Sequence, residues 1–241
     1  MKTLKARSMQ GLILFDIDGT LLRPGDLAHQ QSLVDSVRAV YGIEPSLEGV
    51  PLGGMLDSQI VRLALEKYQV PAGDIGDGLP SVMEQMGRRY LELLGDDDRR
   101  SWLLPGVDEL LARTAPGFTL GVLTGNASGV ARAKLMAAGI DHYFSFGAFG
   151  DSADHRHELV PVAIEQAEQK LGTVHQAGDV VIVGDTPRDI EAARESGASV
   201  IAVATGRYPV EELSQLDPDL VLSDLSEVEN VYQALAKLTA R

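Results

Sequence analysis

Short apolar runs followed by turn residues recur along the chain, at about 11–16, 118–124, 143–148, 179–184, 199–204 and 219–222. Most are aliphatic or β-branched, which predicts buried β-strands. Stretches with helical spacing separate the later runs. Such alternation predicts βαβ units and a parallel, doubly wound α/β sheet of the Rossmann-like kind. Between the first two strands the rhythm changes. No strand pattern appears from about 25 to 98, and helical patterns fall at roughly 28–41, 57–68 and 79–95. In the second of these Ile60, Leu63, Ala64 and Lys67 share a face, with Val61 and Leu65 beside it, as an amphipathic helix requires. The tract Gly95-Asp96-Asp97-Asp98-Arg99-Arg100 reads as a solvated return linker. The expected division is an α/β core of residues 1–24 and 99–241 with a helical insertion at 25–98. Residues 1–10 are polar and are expected to fray.

Two of the strands end in carboxylates: Leu12-Ile13-Leu14-Phe15-Asp16-Ile17-Asp18-Gly19-Thr20, and Val180-Val181-Ile182-Val183-Gly184-Asp185-Thr186-Pro187-Arg188-Asp189. A carboxylate just past the end of a parallel strand lies in the crevice where open α/β sheets bind ligands. Side by side, these strands would gather Asp16, Asp18, Asp185 and Asp189 into one small volume. Like charges so close raise one another's pKa unless a cation neutralises them, so a bound metal is expected. Oxygen donors without cysteine or clustered histidine favour magnesium over zinc. Each segment also has a plainer reading. Asp-Gly-Thr makes a turn, Thr124 can cap a helix, Asp185-Thr186-Pro187 can start one, and Arg188 and Asp189 can be first-turn surface residues. Helix caps do not explain why two strands both end in carboxylates.

Composition narrows the choice of partner. A chain of 241 residues with 44% hydrophobic positions can bury a sizeable, mainly aliphatic core. The formal net charge of −14 argues against nucleic acid or an anionic membrane as the main partner. A phosphorylated small molecule would need a local positive site, because the overall field repels it. The absence of cysteine excludes disulfides, thiolate catalysis and cysteine-ligated zinc, and fits a cytoplasmic location. The early apolar run is too short for a membrane span or a signal-peptide core. A soluble monomer or homodimer is expected.

Asp16-Ile17-Asp18-Gly19-Thr20, Leu123-Thr124-Gly125-Asn126 and Gly184-Asp185-x-x-x-Asp189, in this order and each at a strand end, resemble the haloacid dehalogenase-like hydrolases. The likeness extends over nearly the whole chain. The helical insertion falls where members such as phosphoglycolate phosphatases carry a helical cap. The resemblance implies that Asp16 is a nucleophile forming an aspartyl-phosphate, and that Asp18 is the general acid and later the general base. Gly19 would allow the tight turn that brings both toward the phosphate. Magnesium would bind the carboxylates of Asp16 and Asp185 and the main-chain carbonyl of Asp18, with Asp189 as a further ligand or anchor. Thr124, Gly125 and Asn126 would hold the phosphoryl group at the start of a helix. The implied activity is magnesium-dependent hydrolysis of a small phosphorylated metabolite, with a phosphomutase or a non-catalytic binding protein as alternatives.

One departure stands out. The family supplies a lysine at the head of the helix before the Gly-Asp strand, and the matching stretch, Asp154-His155-Arg156-His157-Glu158-Leu159-Val160-Pro161, has none. Arg156 is expected to take its place, since arginine stays charged and can meet phosphate oxygens in a bidentate way. The rival, Lys134, is expected on a solvated helix face, and His155 and His157 on the surface. The Gly-rich stretch 49–59 resembles the loop by which a cap reaches over the active site. A plain connection before a helix capped at Asp57 or Ser58 reads equally well.

Overall fold

The computed structural model describes residues 11–240; the stretch expected to fray lies outside them. Six strands form one sheet: β1 (Leu12–Phe15), β2 (Thr119–Leu123), β3 (Gly147–Ala148), β4 (Val180–Gly184), β5 (Ser199–Val203) and β6 (Leu220–Leu222). Their order is β3-β2-β1-β4-β5-β6, and every pairing is parallel. The strands fall where the apolar runs place them, with one correction. The third is reduced to Gly147–Ala148, and Asp141–Tyr143 forms a 3₁₀ turn instead. It is an edge strand, and very short edges are one way proteins avoid pairing with a second chain.

Alternate residues of β1 serve opposite faces of the sheet. Ile13 and Phe15 join a core with α4 (Val107–Thr114) and α9 (Val228–Leu238). Leu12 and Leu14 join a second core with α6 (Leu159–Leu171) and α7 (Pro187–Ser196). β1 lies between β2 and β4, with Phe15 in register with both Val122 and Val183. The chain therefore leaves the centre of the sheet in two directions, and a crevice opens beyond the strand ends at that point.

The segment between β1 and β2 is helical: α1 (Leu27–Tyr41), α2 (Asp57–Glu66) and α3 (Ala72–Leu94). The buried face of α2 is Ile60, Val61, Ala64 and Leu65, whereas Leu63 points outward at 37% exposure. Lys67 lies past the helix end and donates to the carbonyls of Ser46 and Glu48. α3 begins seven residues earlier than its pattern predicts, because Gly73, Gly76 and Gly78 mask the periodicity. Tertiary contact overrides weak propensity there: Ile75 is buried, and its carbonyl accepts a 2.8 Å bond from the Tyr41 hydroxyl.

These three helices share a hydrophobic cluster that is completed by Ala127, Val130 and Ala133, at and within α5 (Ser128–Ala137), the helix after β2. α3 meets α5 backbone to backbone at Gly87 and Gly129; a Cβ on Gly87 would lie 2.8 Å from the Gly129 Cα. The return tract also differs from expectation. Arg99 is buried, stacks over the Trp102 ring at 3.8 Å and pairs with Asp97 and Asp26. No helix among the described residues is long and apolar enough to cross a membrane.

Candidate active site

Asp16 follows directly on β1, so the parallel ladder fixes its backbone: its amide donates to the Val183 carbonyl at 2.9 Å. Its carboxylate accepts from the Ile17 amide at 2.8 Å and from Arg156 Nη2 at 3.0 Å. Burial pushes this carboxyl up to about 6, against the opposing pull of Arg156. Thr124, fully buried at the end of β2, hydrogen-bonds the same carboxylate.

Asp185 and Asp189 come from the end of β4 and the first turn of α7. The carboxylate oxygens of Asp16, Asp185 and Asp189 lie within 4.8 Å of one another. Asp189 lies in the first turn of α7 but is fully buried, so it is not the surface residue of the plain reading. It caps α7 by accepting from the Thr186 amide and hydroxyl at 3.0 and 2.7 Å, and its other oxygen meets Arg156 Nη2 at 2.5 Å. Asp185 makes no ion pair among the described residues. A long 3.4 Å bond from the Thr20 hydroxyl reaches it, and burial, then Asp16 and Asp189, push its carboxyl up to about 9, although the nearby Arg156 charge partly pulls it down. A buried oxygen cluster with one member outside any ion pair fits a hard divalent cation. The Asp18 carboxylate stands outside this cluster.

Three glycines, two in loops and Gly184 at the end of β4, make room for Asp185 and Asp189. A Cβ on Gly19 would lie 2.2 Å from Asp185 Oδ2, and one on Gly206 would lie even closer to the same atom. A Cβ on Gly184 would collide with the Asp189 carboxyl carbon at 2.2 Å.

Both candidate cations reach the crevice. Arg156 is buried between Asp16 and Asp189, with Nη1 donating to the Gly54 carbonyl at 3.1 Å and Nε left without a partner among the described residues. Lys134 does not face solvent. It is 2% exposed, and its ammonium donates to both oxygens of Asp18 at 2.8 and 2.6 Å and to Asn126 Oδ1 at 2.7 Å. His29 Nδ1 lies 3.1 Å away from it. Asn126 Nδ2 reaches Asp18 Oδ2 at 2.9 Å. Burial alone would raise the Asp18 carboxyl, but Lys134 and His29 together hold it below the ordinary carboxylate value. A sequence signal for Lys134 exists: with Val130 and Ala138 it forms an i, i+4 stripe that is otherwise apolar.

The helix after Thr124 also departs from expectation. α5 begins at Ser128, and its N-terminal amides are already taken by two carboxylates. Asp57 accepts from the Ala127 amide at 2.7 Å, and Asp151 accepts from the Ser128 amide at 3.1 Å. Two protein carboxylates thus already lie at the positive end of that helix. Asp57 also binds His29 Nε2 at 2.9 Å, so a histidine of α1 and an aspartate of α2 continue the chain of contacts from Lys134. Neither residue stands out in the sequence as part of this site. His155 and His157 stack on each other at the surface, and His157 pairs with Glu195.

The stretch 49–59 meets the core closely. The Asp57 amide donates to the Gly125 carbonyl at 2.7 Å, and Arg188 donates to the Gly53 carbonyl at 2.6 Å. A Cβ on Gly125 would strike the Met55 carbonyl oxygen at 2.0 Å, so Gly125 is needed for this approach. Between the loop and the strand ends lies a cavity of about 450 Å³, lined by Asp16, Asp18, Thr124, Gly125, Asn126, Arg156 and Asp185 on the sheet side.

A family model for haloacid dehalogenase-like hydrolases matches residues 11–197, well over half of the chain. The chain belongs to the haloacid dehalogenase-like hydrolases. Among its relatives, a phosphoglycolate phosphatase of Vibrio parahaemolyticus is 30% identical over 93% of this chain and 97% of that protein. A probable phosphatase IndB of Dickeya dadantii is 27% identical over 96% and 97%. The crystal structure of a predicted phosphoglycolate phosphatase from Haemophilus somnus superposes with a TM-score of 0.60 at 26% identity, covering 95% of this chain and all of that one. A β-phosphoglucomutase of Clostridium difficile has a TM-score of 0.68 at 19% identity over 97% and 100%, a likeness of fold alone. The chain is thus a hydrolase of this family, and the relatives it matches at higher identity are named as phosphatases.

Proposed function

We propose that this hydrolase is a magnesium-dependent phosphatase of small phosphomonoesters that works through an aspartyl-phosphate on Asp16. The observation that carries the reading is a pair of carboxylates just past β1, Asp16 against the buried Arg156 and Asp18 against the buried Lys134, lining one cavity. In the first half-reaction a carboxylate oxygen of Asp16 forms a bond to phosphorus as the bond to the ester oxygen breaks. That oxygen leaves with the electron pair and takes a proton from Asp18. In the second, Asp18 accepts a proton from water, whose oxygen attacks phosphorus and releases Asp16 and inorganic phosphate. Arg156 orients Asp16 and supplies a fixed positive charge beside the phosphoryl group. Thr124 and Asn126 hold the phosphoryl oxygens, and Lys134 fixes the direction of Asp18. Magnesium, held by Asp16, Asp185 and the Asp18 main-chain carbonyl with Asp189 as anchor, would polarise the phosphoryl group and offset the carboxylate charge. Helices α1–α3 with the 49–59 loop act as the cap that excludes water. The cysteine-free composition suits the cytoplasm.

The test is a panel of phosphorylated metabolites with and without magnesium. Activity should vanish in chelator and return with magnesium, and Asp16→Asn should abolish turnover while leaving the circular dichroism spectrum unchanged. Retention of more than a few per cent of turnover by a pure, folded Asp16→Asn protein refutes the nucleophile.

A further inference from the structure

Resting on the phosphatase reading, the lining of the same cavity separates classes of substrate. Its far wall is aliphatic: Leu33 from α1, Leu47, Leu52 and Met55 from the connecting loop, and Ile60 from α2. Most polar groups on that side are held by the protein itself, apart from Asp57 Oδ1, which has no partner among the described residues. Asp26 accepts from the Tyr90 hydroxyl at 2.7 Å and from the Ala28 amide at 3.0 Å, and it pairs with Arg99. Asp57 is held by His29 and the Ala127 amide, and both nitrogens of His29 are in use. Gln30, Arg207 and Tyr208 also line the cavity, with side chains that make no polar contact among the described residues. A sugar phosphate would bring several hydroxyls to a wall that is mainly aliphatic and offers few partners, and each unpaired polar group buried there carries a cost. A two-carbon acid such as phosphoglycolate would leave most of the roughly 450 Å³ unfilled. Cavities of this size ordinarily hold ligands that cover their apolar walls.

We infer that the substrate is a phosphomonoester of a bulky apolar alcohol, its alkyl or aryl body lying against the Leu33, Leu47, Leu52, Met55 and Ile60 wall. Specificity is set there by burial of hydrocarbon, with the phosphate anchored at Asp16 and Arg156. Gln30 and Tyr208 would meet a single polar substituent.

The test is a series of n-alkyl phosphates from ethyl to hexyl, in which leaving-group basicity is nearly constant, run beside phosphoglycolate and a hexose 6-phosphate. The expected result is a kcat/KM that rises about two- to fourfold per methylene until the wall is covered. Hexyl phosphate should exceed both phosphoglycolate and the hexose phosphate by about tenfold or more. Leu47 and Leu52 are only partly buried, so Leu52→Asn and Leu47→Asn should fold and should flatten the rise. A flat or falling series, or a faster reaction with phosphoglycolate or the hexose phosphate, overturns the inference. If no ester is turned over, including p-nitrophenyl phosphate with magnesium, the phosphatase reading fails separately. Calorimetric titration of the wild-type chain with magnesium then decides the cavity. Tighter binding of hexyl phosphate than of phosphoglycolate supports the apolar wall as the recognition element, and equal or weaker binding overturns it.

Discussion

The two sides of the crevice treat their carboxylates in opposite ways. On one side a single guanidinium is shared by Asp16 and Asp189 while Asp185 beside them makes no ion pair among the described residues, and the carboxyls of Asp16 and Asp185 are pushed up. On the other side one ammonium serves both oxygens of Asp18, with Asn126 and His29 around it, and that carboxyl is held down. Before any ligand arrives, the proposed nucleophile therefore resists ionising and the proposed acid resists taking a proton. Each group is biased against its task. A divalent cation among Asp16, Asp185 and Asp189 would reverse the first bias, and a phosphate dianion arriving next to Asp18 would reverse the second. Under the proposed function, the difference teaches that the site would reach its working charge balance only when loaded, with a cation beside Arg156 and a phosphate beside Lys134.

The largest expected effect comes from removing the shared cation. Arg156→Ala should lower kcat/KM by about 10²–10³, since a preorganised charge facing the transition state is lost. Arg156→Lys should recover only part of that, because a point charge cannot bridge Asp16 and Asp189 as a planar fork does. Steady-state kinetics of the two variants check this, and an unimpaired Arg156→Ala enzyme would remove Arg156 from the chemistry.

Lys134→Met should cost less, about tenfold to a hundredfold in kcat, by letting Asp18 drift from its aim. The signature matters more than the size. If Lys134 works through the acid that protonates the leaving oxygen, the loss should be large for alkyl phosphates and small for p-nitrophenyl phosphate, whose leaving group needs no proton. Equal losses on both substrates would make Lys134 merely structural.

The smallest effect is thermal, and it has a sign. The folded-state carboxyl of Asp185 is raised to about 9 from an ordinary 3.8, so the metal-free fold holds a proton there that the unfolded chain gives up. Its contribution to stability is present below about pH 4 and is lost as pH rises toward 9. A bound cation replaces that proton, so saturating magnesium should raise Tm by more at pH 8 than at pH 5. Differential scanning fluorimetry at the two pH values measures this, and a shift that shrinks with pH would place the metal away from Asp185.

The sheet and the carboxylate cluster were legible in the sequence because both follow from local rules. Apolar runs become strands, and residues just beyond parallel strands share one crevice. Arg156 was found by its place in a motif, although only the fold shows it bridging Asp16 and Asp189. Lys134 was misplaced because a lysine in a helix is ordinarily solvated, and what makes it buried is a carboxylate 116 residues away. His29 and Asp57 were invisible as members of the site for the same reason: their roles depend on how α1 and α2 pack on α3, which in turn docks onto α5, and no local pattern encodes this. The early start of α3 escaped because its glycines weaken the periodic signal, while the burial that orders it comes from α1.

Gly19, Gly184 and Gly206 bear on how this chain can change over generations. Any substitution at these positions adds at least one carbon, and at each that carbon falls on a carboxylate of the cluster. Such positions have no neutral neighbours in sequence space, however mild the replacement looks on a similarity scale. The wall of leucines across the cavity is the reverse case, where one aliphatic residue can stand in for another at small cost. Drift and selection can therefore rework what the enzyme grips while the floor beneath it stays fixed by three side chains that are not there.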